Sequence, residues 1–595
     1  MKFTSAATII ALLSAAAPFA AKADDESSNM VERVLRQREP KGKKSYEVWA
    51  SDQSNSVADQ SAAGVKGSFL WIWDSQAIQE QINGGTDAKP LSCTPTATEG
   101  PCDLLDIFPQ DLEDGDGNAL GSLPAFGRLH GVLKDPQNRY VNANIFAPGG
   151  GYVGIIDTNT KEAIGLFRVT GTNANGTGRS VHMSFWNNDG SSIIIDNLHG
   201  KMIERIDVTR DNKGKIIDLK FNKSAGVYLG TDFQLVNEAT VFSGNNAFGN
   251  SLIGSVDGNY DDADTDDLTP AGKRKEWNGV DVIPVDEKIQ GGSRPNNVPI
   301  CPITSSNNYA YATLGGGGLF VLKIDETPML IVGEYGNRII NGAGCGGAEA
   351  QGRMFFNAGV SASAGGADQS TFTVYALDDS GFDDNADTPK ENHPFPSQLF
   401  NDASNTNTNG NKDGTTDTND SGQLPNLTTR RDSHGAASTL DGQYVHVVDR
   451  IQNVVEVFDA TTDERVNTYD LVSKNGKSGR EGPAGPCLKR SVLDDPNLHL
   501  NDPAPDLMSL TPDGKFLVIA FRGPKPVTVG HAAQGSCPGV GIVELSEGGK
   551  SGKLVDVLRS TNTIDTVPVG TIPGGTDYAG AERSDVHGAI VVSKN

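Results

Sequence analysis

One recurring spacing limits the possible folds of this chain more than any other feature of its sequence. Between Arg431 and Leu471, His434 lies seven residues before a tight Asp441-Gly442 turn, and two runs rich in β-branched residues follow. Short apolar runs joined by tight turns are typical of an antiparallel meander. The same spacing recurs in three other stretches, at His130 before Gln137-Asn138, at His182 before Asp189-Gly190 and at Asp506 before Asp513-Gly514. Weaker copies contain Pro299 and Asn357, so the chain holds six similar units.

The two ends of the chain complete a seventh unit. The last residues, SDVHGAIVVSKN, contain His587 and a single strand, whereas the strands expected near Tyr46 and Phe69 lack an inner partner. Four-stranded units repeated along a chain are typical of a β-propeller, and a blade shared by both termini closes the ring without an exposed sheet edge. The sequence therefore predicts an all-β fold, a seven-bladed β-propeller of residues 45–595 with N- and C-terminal strand closure.

Three long acidic loop insertions interrupt the predicted blades, near residues 93–123, 257–275 and 378–427. Their polar, low-complexity composition predicts loops and not strands. Within the third insertion, the segment from Asn409 to Asp420 places oxygen-bearing side chains at the positions of a Ca2+-binding loop. A calcium site and a flexible acidic insertion are both open interpretations of this segment.

The first residues have the features of a secretory signal. Lys2 precedes a short apolar stretch, and Ala21-Lys22-Ala23 fits a small-residue cleavage site. Residues 1–23 are therefore predicted to be a signal peptide and residues 24–44 a flexible N-terminal segment, so the mature protein is expected to be secreted or periplasmic. No later stretch has the apolar length of a membrane span, and a formal charge of -25 argues against nucleic-acid binding.

The six cysteines form an even set, and none lies in a C-x-x-C pair. In an oxidising compartment this pattern favours disulfide bonds over thiolate metal sites. Their positions relative to the blades suggest three pairs, Cys93 with Cys102, Cys301 with Cys345, and Cys487 with Cys537. Other connectivities stay open at this point.

The shared register of the histidines predicts a metal site. Inner strands of a propeller run along the central channel, so equivalent residues at their starts face one another across the axis. The register assigns seven residues to this ring, namely His130, His182, Pro299, Asn357, His434, Asp506 and His587. Four of the nine histidines in the chain share this position. Protonated imidazoles would repel one another, whereas neutral imidazoles can share a cation.

Zinc is the favoured ion for this ring, because imidazole nitrogen and carboxylate oxygen both bind zinc at about 2.0 to 2.2 Å. Copper and iron are alternatives, since imidazole also suits them. The predicted metal ligands are His130, His182, His434, His587 and Asp506. Three further histidines, His199, His499 and His531, are expected in loops on the face of the ring, either on a path for the ion or simply solvated. His446 alternates along a strand and is expected to pack in the core.

Several blades open with a His-Gly pair, at His130-Gly131, His434-Gly435 and His587-Gly588. In an exported acidic chain, this pattern resembles the periplasmic zinc metallochaperone propellers that serve zinc ABC importers. The resemblance implies a metallochaperone that holds zinc through histidine and carboxylate groups near the axis and delivers it to the solute-binding protein of a metal transporter. More distantly, the register resembles the catalytic propeller of nitrous oxide reductase. The sequence lacks that family's adjacent histidine pair and its dinuclear copper domain, which argues against that reductase activity.

Enzyme activity stays open on the sequence alone, although a non-enzymatic metal carrier or scavenger is favoured. The alternative is a metal-dependent oxidoreductase using copper or iron, or a lyase in which a histidine or aspartate of the ring acts as a base. The chain contains no G-x-S-x-G motif that would indicate a hydrolase. An interaction scaffold whose ring holds only water is a third interpretation.

Overall fold

The computed structural model describes residues between Ser45 and Lys594. The described residues are 45–53, 69–93, 97–108, 128–146, 151–171, 180–229, 275–277, 282–284, 298–315, 317–335, 339–340, 342–358, 372–380, 382, 394–401, 432–450, 454–471, 503–523, 537–560 and 584–594. The predicted signal peptide, the N-terminal segment, the calcium-loop candidate and much of the three predicted insertions lie outside them.

Seven four-stranded antiparallel sheets form the blades of a β-propeller, which confirms the predicted fold class. We number the blades in chain order of their inner strands and give each blade from its inner to its outer strand. Blade 1 consists of Arg128–Lys134, Tyr140–Phe146, Tyr152–Asp157 and Ala163–Arg168. Blade 2 consists of Val181–Trp186, Ser192–Asn197, Met202–Arg210 and Ile216–Tyr228. Blade 3 consists of Pro299–Thr304, Tyr309–Leu314, Leu319–Lys323 and Leu330–Tyr335.

The other four blades follow the same plan. Blade 4 consists of Gly347–Ala350, Arg353–Ala358, Thr373–Asp378 and Ser397–Asn401. Blade 5 consists of Ser433–Ser438, Tyr444–Asp449, Val454–Asp459 and Glu464–Asp470. Blade 6 consists of Pro505–Leu510, Phe516–Phe521, Gly539–Ser546 and Ser551–Arg559. Blade 7 consists of Val586–Ser593, Tyr46–Asp52, Phe69–Asp74 and Cys102–Asp103.

A few elements do not belong to the four-stranded sheets of the blades. They are a hairpin of Lys275–Trp277 and Val282–Pro284, helices Ser75–Ile82 and Leu104–Ile107, and a 3-10 turn at Glu547–Gly549. Within the described residues, no helix has both the length and the apolar character needed to cross a membrane.

The core is divided among the gaps between neighbouring blades. The described residues form seven clusters of buried apolar side chains, and each cluster lies mainly between two adjacent blades. Trp49 of blade 7, for example, packs in one cluster with Val141 of blade 1, while Trp71 of blade 7 packs in another with Val518 of blade 6. Because blade 7 packs on both of these neighbours, the hydrophobic contacts themselves close the ring.

The two chain ends meet in blade 7, as the sequence predicted. The C-terminal strand Val586–Ser593 is the inner strand, and it pairs antiparallel with the N-terminal strand Tyr46–Asp52. In this pairing Trp49 lies opposite Ile590. The backbone N–H of Gln53 also donates to the carbonyl oxygen of Asp585 at 3.0 Å. The N-terminal strand Tyr46–Asp52 is therefore paired on both sides and has no exposed edge.

Blade 4 and the predicted insertions differ from the sequence-based expectation. The inner strand of blade 4 is the short segment Gly347–Ala350, so the segment containing Asn357 is its second strand. Two short segments assigned to loop insertions, Cys102–Asp103 and Ser397–Asn401, are the outer strands of blades 7 and 4. Outer strands pair on one side only and are short here, which explains why their sequences carry little β pattern.

Two of the predicted disulfide bonds are present. Cys93 pairs with Cys102 and Cys301 pairs with Cys345. Cys537 is also disulfide-bonded, but its predicted partner Cys487 lies outside the described residues, so that pairing stays a prediction.

Candidate metal centre

The ring residues are placed by a repeated β-bulge. In six blades, the inner strand carries, near its first residues, one residue more than the second strand that pairs with it. The residues located at these bulges are His587, His130, His182, Ile300, His434 and Asp506. A bulge interrupts the hydrogen bonding between two strands and changes the direction of a side chain. The same local feature therefore turns five polar side chains toward one region.

Two of the glycines that follow ring histidines, Gly131 and Gly435, have a steric role. A Cβ on Gly435 would lie 2.3 Å from the carbonyl oxygen of Asp506 in the next blade. A Cβ on Gly131 would lie 2.5 Å from Sδ of Met183, also in the next blade. Both separations are far below normal contact. The Met183 side chain can move away, whereas the contact at Gly435 is with backbone, so only glycine at that position lets the neighbouring inner strands approach so closely. The His-Gly pairs therefore bring adjacent ring residues together.

The four predicted histidines do gather at the axis. The centroid of the His130 imidazole lies 4.1 Å from the centroid of the His182 imidazole and 3.9 Å from that of the His587 imidazole. The His434 ring lies 5.6 Å from the His587 ring. Three of these histidines are buried, whereas His182 is half-buried. The shared register seen in the sequence thus becomes a continuous arc of four imidazoles.

Three of the five predicted ligands offer converging atoms. His434, Asp506 and His587 each have one ligand atom within 4.8 Å of the other two, and all three are buried. Nε2 of His434 lies 3.2 Å from Oδ1 of Asp506, and Nε2 of His587 lies 3.8 Å from the same oxygen. No other described residue donates a hydrogen bond to Oδ1 of Asp506. We call these three residues the axial triad.

His130 and His182 form a separate pair beside the triad. Their Nε2 atoms are 2.8 Å apart. Nδ1 of His182 lies 2.7 Å from the carbonyl oxygen of Ile300, which can only accept, so this nitrogen carries the proton. In the neutral ring, Nε2 of His182 is therefore an acceptor, and Nε2–H of His130 donates to it. The structure thus divides the five predicted ligands into a triad and a hydrogen-bonded pair.

A buried ion-pair network holds Asp506 in position. Nη1 of Arg522 donates to Oδ2 of Asp506 at 2.9 Å, while the other edge of the guanidinium binds Asp585 at 2.7 and 2.8 Å. Arg450 binds Asp432 at 2.8 Å and lies 3.7 Å from Oδ2 of Asp506. Both arginines therefore engage Oδ2, which leaves Oδ1 directed toward His434 and His587.

This network was not predicted from the sequence, although the chain carries a signal for it. Asp432 and Asp585 each lie two residues before a ring histidine, in Asp432-Ser433-His434 and Asp585-Val586-His587. Arg450 and Arg522 each directly follow the second strand of their blade. Comparing the units position by position would have paired Arg450 with Asp432, because the inner and second strands of blade 5 are neighbours. The Arg522–Asp585 pair instead joins blade 6 to blade 7.

The surroundings favour the neutral forms of two triad members, because they raise the pKa of Asp506 and lower the pKa of His587. Burial raises the pKa of Asp506 from 3.8 to about 6, although Arg450 and Arg522 act against this rise. Burial, and then the positive charge of Arg522, hold the pKa of His587 well below its ordinary value. His587 is therefore neutral at physiological pH, and a neutral imidazole has a lone pair for a cation.

The two remaining ring positions were assigned to Pro299 and Asn357, and the structure places neither residue at a bulge of an inner strand. Pro299 does begin the inner strand of blade 3, but the bulge residue there is Ile300. Asn357 belongs to the second strand of blade 4, and its side chain is held against backbone atoms of Gly346 and His434. The Cys301–Cys345 disulfide fills this side of the ring and joins blade 3 to the segment that enters blade 4.

The other described histidines are not part of the triad. His446 is buried in the second strand of blade 5, with Nε2 2.8 Å from the Gly549 carbonyl oxygen and Nδ1 3.1 Å from the Tyr469 hydroxyl. Burial lowers the pKa of His446 to about 4. His199 is exposed, and its Nδ1 lies 2.7 Å from Oγ of Ser180. His499 and His531 lie outside the described residues.

Comparison with known proteins gives no family. No family model matches the chain, and no curated protein matches it. Among solved structures, the chain is similar to a protein from Lactobacillus plantarum, with 8% identity over 93% of this chain and 100% of the other and a TM-score of 0.43. It is similar to a hypothetical selenium-binding protein from Sulfolobus tokodaii, with 10% identity over 92% and 94% and a TM-score of 0.40. It is also similar to a periplasmic gluconolactonase from Pseudomonas aeruginosa, with 10% identity over 86% and 97% and a TM-score of 0.37. At these values the similarities carry no argument about function, and the fold assignment rests on the sheet topology.

Proposed function

We propose that this protein binds a transition-metal ion, zinc, at the axial triad of His434, Asp506 and His587. The observation that carries the proposal is the convergence of two imidazoles and one carboxylate, all buried, within 4.8 Å of one another. Two nitrogens and one oxygen form a donor set that zinc prefers, and a fourth position stays open for a water molecule or another ligand.

The distances in the triad support a tetrahedral ion. Ligand atoms of a tetrahedral zinc site are about 3.3 Å apart when the metal lies about 2.0 to 2.1 Å from each. The His434–Asp506 distance of 3.2 Å matches this value, and the His587–Asp506 distance of 3.8 Å needs a small inward movement. Rotation of one histidine side chain can supply that movement.

The charge of the surroundings supports a cation as well. The network around the triad contains three carboxylates, Asp432, Asp506 and Asp585, but only two guanidiniums, Arg450 and Arg522. Its formal charge is therefore -1 when every group is ionised. A buried negative charge is costly unless it is compensated, and a bound cation would compensate it at the oxygen that the arginines leave open.

His130 and His182 take a supporting role in this proposal. The His130 ring lies 3.9 Å from the His587 ring, so it limits the positions that His587 can adopt. The Ile300 carbonyl fixes His182, and His182 in turn accepts from His130. Outer groups of this kind orient the ligands and typically change metal affinity about 10- to 100-fold.

Zinc delivery or scavenging outside the cytoplasm is the role that we propose for this site. Two observations support it, namely the signal-like N-terminus in the sequence and the two disulfide bonds among the described residues. Transfer to the solute-binding protein of a metal transporter is the specific form of the proposal.

Isothermal titration with zinc tests the proposal. The wild type and the variants His434→Ala, His587→Ala and Asp506→Asn are prepared free of metal and titrated at neutral pH. Each variant loses a proposed ligand, so each should bind zinc more than about 100-fold more weakly, beyond the effect of an outer group. His130→Ala and His182→Ala should show the smaller loss.

The exposed His199 provides a matched control. Its side chain contacts Ser180 and lies outside the triad, so His199→Ala should keep the affinity of the wild type. Wild-type affinity in all three triad variants would refute the proposal. Tight, selective retention of copper or iron by the same residues, together with turnover of a substrate, would replace it with the metal-dependent oxidoreductase.

A further inference from the structure

A second donor cluster lies on the opposite side of the ring. Both sulfurs of the Cys301–Cys345 disulfide are 3.7 Å from Nδ1 of His182. Cys301 follows the bulge residue of blade 3, and Cys345 lies in the segment entering blade 4. Two cysteines and one histidine from three blades therefore meet at one point. In the oxidised state neither sulfur can serve as a thiolate ligand.

We infer that Cys301, Cys345 and His182 form a redox-gated metal site, which takes up a soft divalent ion such as zinc when the disulfide is reduced. This site uses Nδ1 of His182 and two thiolates, so it is distinct from the axial triad. It goes beyond the proposed function, because its occupancy depends on the redox state of the protein and not only on the supply of metal.

The geometry is close to what such an ion needs. With zinc–sulfur and zinc–nitrogen distances of about 2.3 and 2.0 Å, a tetrahedral site places nitrogen and sulfur about 3.6 Å apart. Both observed Nδ1–Sγ distances are 3.7 Å. Two changes are needed. The sulfurs must separate from bonding distance to about 3.8 Å, and Nδ1 of His182 must give up its hydrogen bond to the Ile300 carbonyl oxygen. Because Cys345 precedes the short inner strand of blade 4, this separation does not require movement within the ladder.

The chemical steps balance with an external dithiol as reductant. The dithiol attacks one sulfur, the Cys301–Cys345 bond breaks, and the dithiol leaves as its own disulfide, so two electrons and two protons pass to the protein. Zinc then binds both sulfurs as thiolates and releases two protons. His182 gives up its hydrogen bond to the Ile300 carbonyl oxygen and shifts that proton from Nδ1 to Nε2, while His130 shifts its own proton from Nε2 to Nδ1, which lies 3.4 Å from Oε1 of Gln53. Nε2 of His130 then accepts from Nε2–H of His182 at the observed distance of 2.8 Å. The histidine pair thus provides a place for the displaced proton.

Linkage gives this site a measurable signature. Zinc that binds only the dithiol form should favour reduction, because a ligand stabilises the state to which it binds. At zinc concentrations above the dissociation constant, each tenfold rise in free zinc should change the dithiol-to-disulfide ratio about tenfold at a fixed redox poise. Oxidation should release the same ion.

Cobalt(II) is the probe for the experiment, because thiolate ligation gives an intense near-ultraviolet charge-transfer band that oxygen and nitrogen ligands do not give. The folded wild type is incubated with a phosphine reductant, freed of excess reagent without air and titrated with cobalt. We expect about one further equivalent of cobalt per chain after reduction, with the thiolate band. The oxidised protein should lack the band.

The second disulfide in the chain supplies a matched control. Cys93 and Cys102 also yield two thiols on reduction, but no histidine or carboxylate completes a cluster with them among the described residues. The double variant Cys93→Ser/Cys102→Ser should therefore keep the redox-dependent band, whereas Cys301→Ser/Cys345→Ser should lose it. His182→Gln keeps all cysteines and should weaken the band, which guards against misfolding of the double variant.

The Asp506→Asn variant separates this inference from the proposed function. It removes a ligand of the axial triad, so it should lose zinc binding in the oxidised protein and still gain the thiolate band on reduction. A thiolate band that persists without Cys301 and Cys345 would overturn the inference. Failure of the Cys301–Cys345 bond to open in the folded protein, under conditions that open Cys93–Cys102, would overturn it as well.

Discussion

Asp506→Asn should make the metal-free protein more stable at neutral pH while it removes metal binding. Asp506 is fully buried, and burial raises its pKa from 3.8 to about 6 despite the two nearby arginines. A raised carboxyl pKa means that the folded state favours the proton. The carboxylate at the centre of the ring therefore costs stability when it is ionised and no cation is bound.

The size and sign of the effect follow from the pKa values. A rise from 3.8 to about 6, at about 1.4 kcal/mol for each pKa unit, corresponds to about 3 kcal/mol. The contribution of protonated Asp506 to folding stability is fully present below about pH 3.8 and is lost as the pH rises through about 6. Asparagine stays neutral throughout this range. The variant should thus exceed the metal-free wild type by about 3 kcal/mol at about pH 7.5, and this difference should approach zero near pH 4.

Urea denaturation of both proteins in the presence of a chelator, from about pH 4 to 7.5, measures the difference. A zinc titration of the same samples gives the loss of binding. A variant that is less stable than the wild type at pH 7.5 would refute the reasoning, because it would mean that Arg450 and Arg522 stabilise the ionised carboxylate by more than burial costs. A difference that does not change with pH would refute it too.

Other predictions concern the ring, its closure and the histidine that lies outside the site. Gly435→Ala places a Cβ 2.3 Å from the Asp506 carbonyl oxygen, so it should cost about 1 to 3 kcal/mol by overpacking in denaturant titrations and should weaken zinc binding; an unchanged denaturation midpoint would contradict the steric account of the His-Gly pairs. Removal of Asp585–Asn595 exposes the edge of Tyr46–Asp52 and should give self-association in size-exclusion chromatography, whereas a stable monomer would disprove the closure. His446→Gln disturbs buried contacts with Gly549 and Tyr469 and should lower stability without changing zinc affinity. Zinc affinity of the wild type should fall as the pH drops below about 6, because protons then compete with zinc for the Asp506 carboxylate, whose pKa burial raises to about 6, and a flat pH profile would exclude Asp506 as a ligand.

The sequence predicted the propeller because each blade repeats one local pattern. The seven-residue spacing between His434 and the Asp441-Gly442 turn reflects one bulged inner strand and its hairpin, and this unit recurs with little variation in blades 1, 2, 5 and 6. A common register is sufficient to place side chains around an axis. The positions of His130, His182, His434, Asp506 and His587 could therefore be predicted without coordinates.

Other features depend on contacts between blades, which a repeat pattern does not contain. The inner strand of blade 4, Gly347–Ala350, is too short to show a period, so Asn357 was assigned to the wrong strand. The hydrogen bond between His130 and His182 depends on the Ile300 carbonyl of a third blade. The contact of the Cys301–Cys345 disulfide with His182 likewise joins segments more than 100 residues apart. Such contacts follow only from the closed ring.

Elemental analysis of the purified protein tests the central claim most directly. The wild type and a His434→Ala/His587→Ala double variant are expressed without added metal, passed over a chelating resin and measured by mass spectrometry of the elements. Two of the three triad ligands are absent from the variant, so we predict about one zinc per wild-type chain and close to none per variant chain. Equal zinc in both proteins, or no metal in the wild type, would contradict a metal centre at the axial triad.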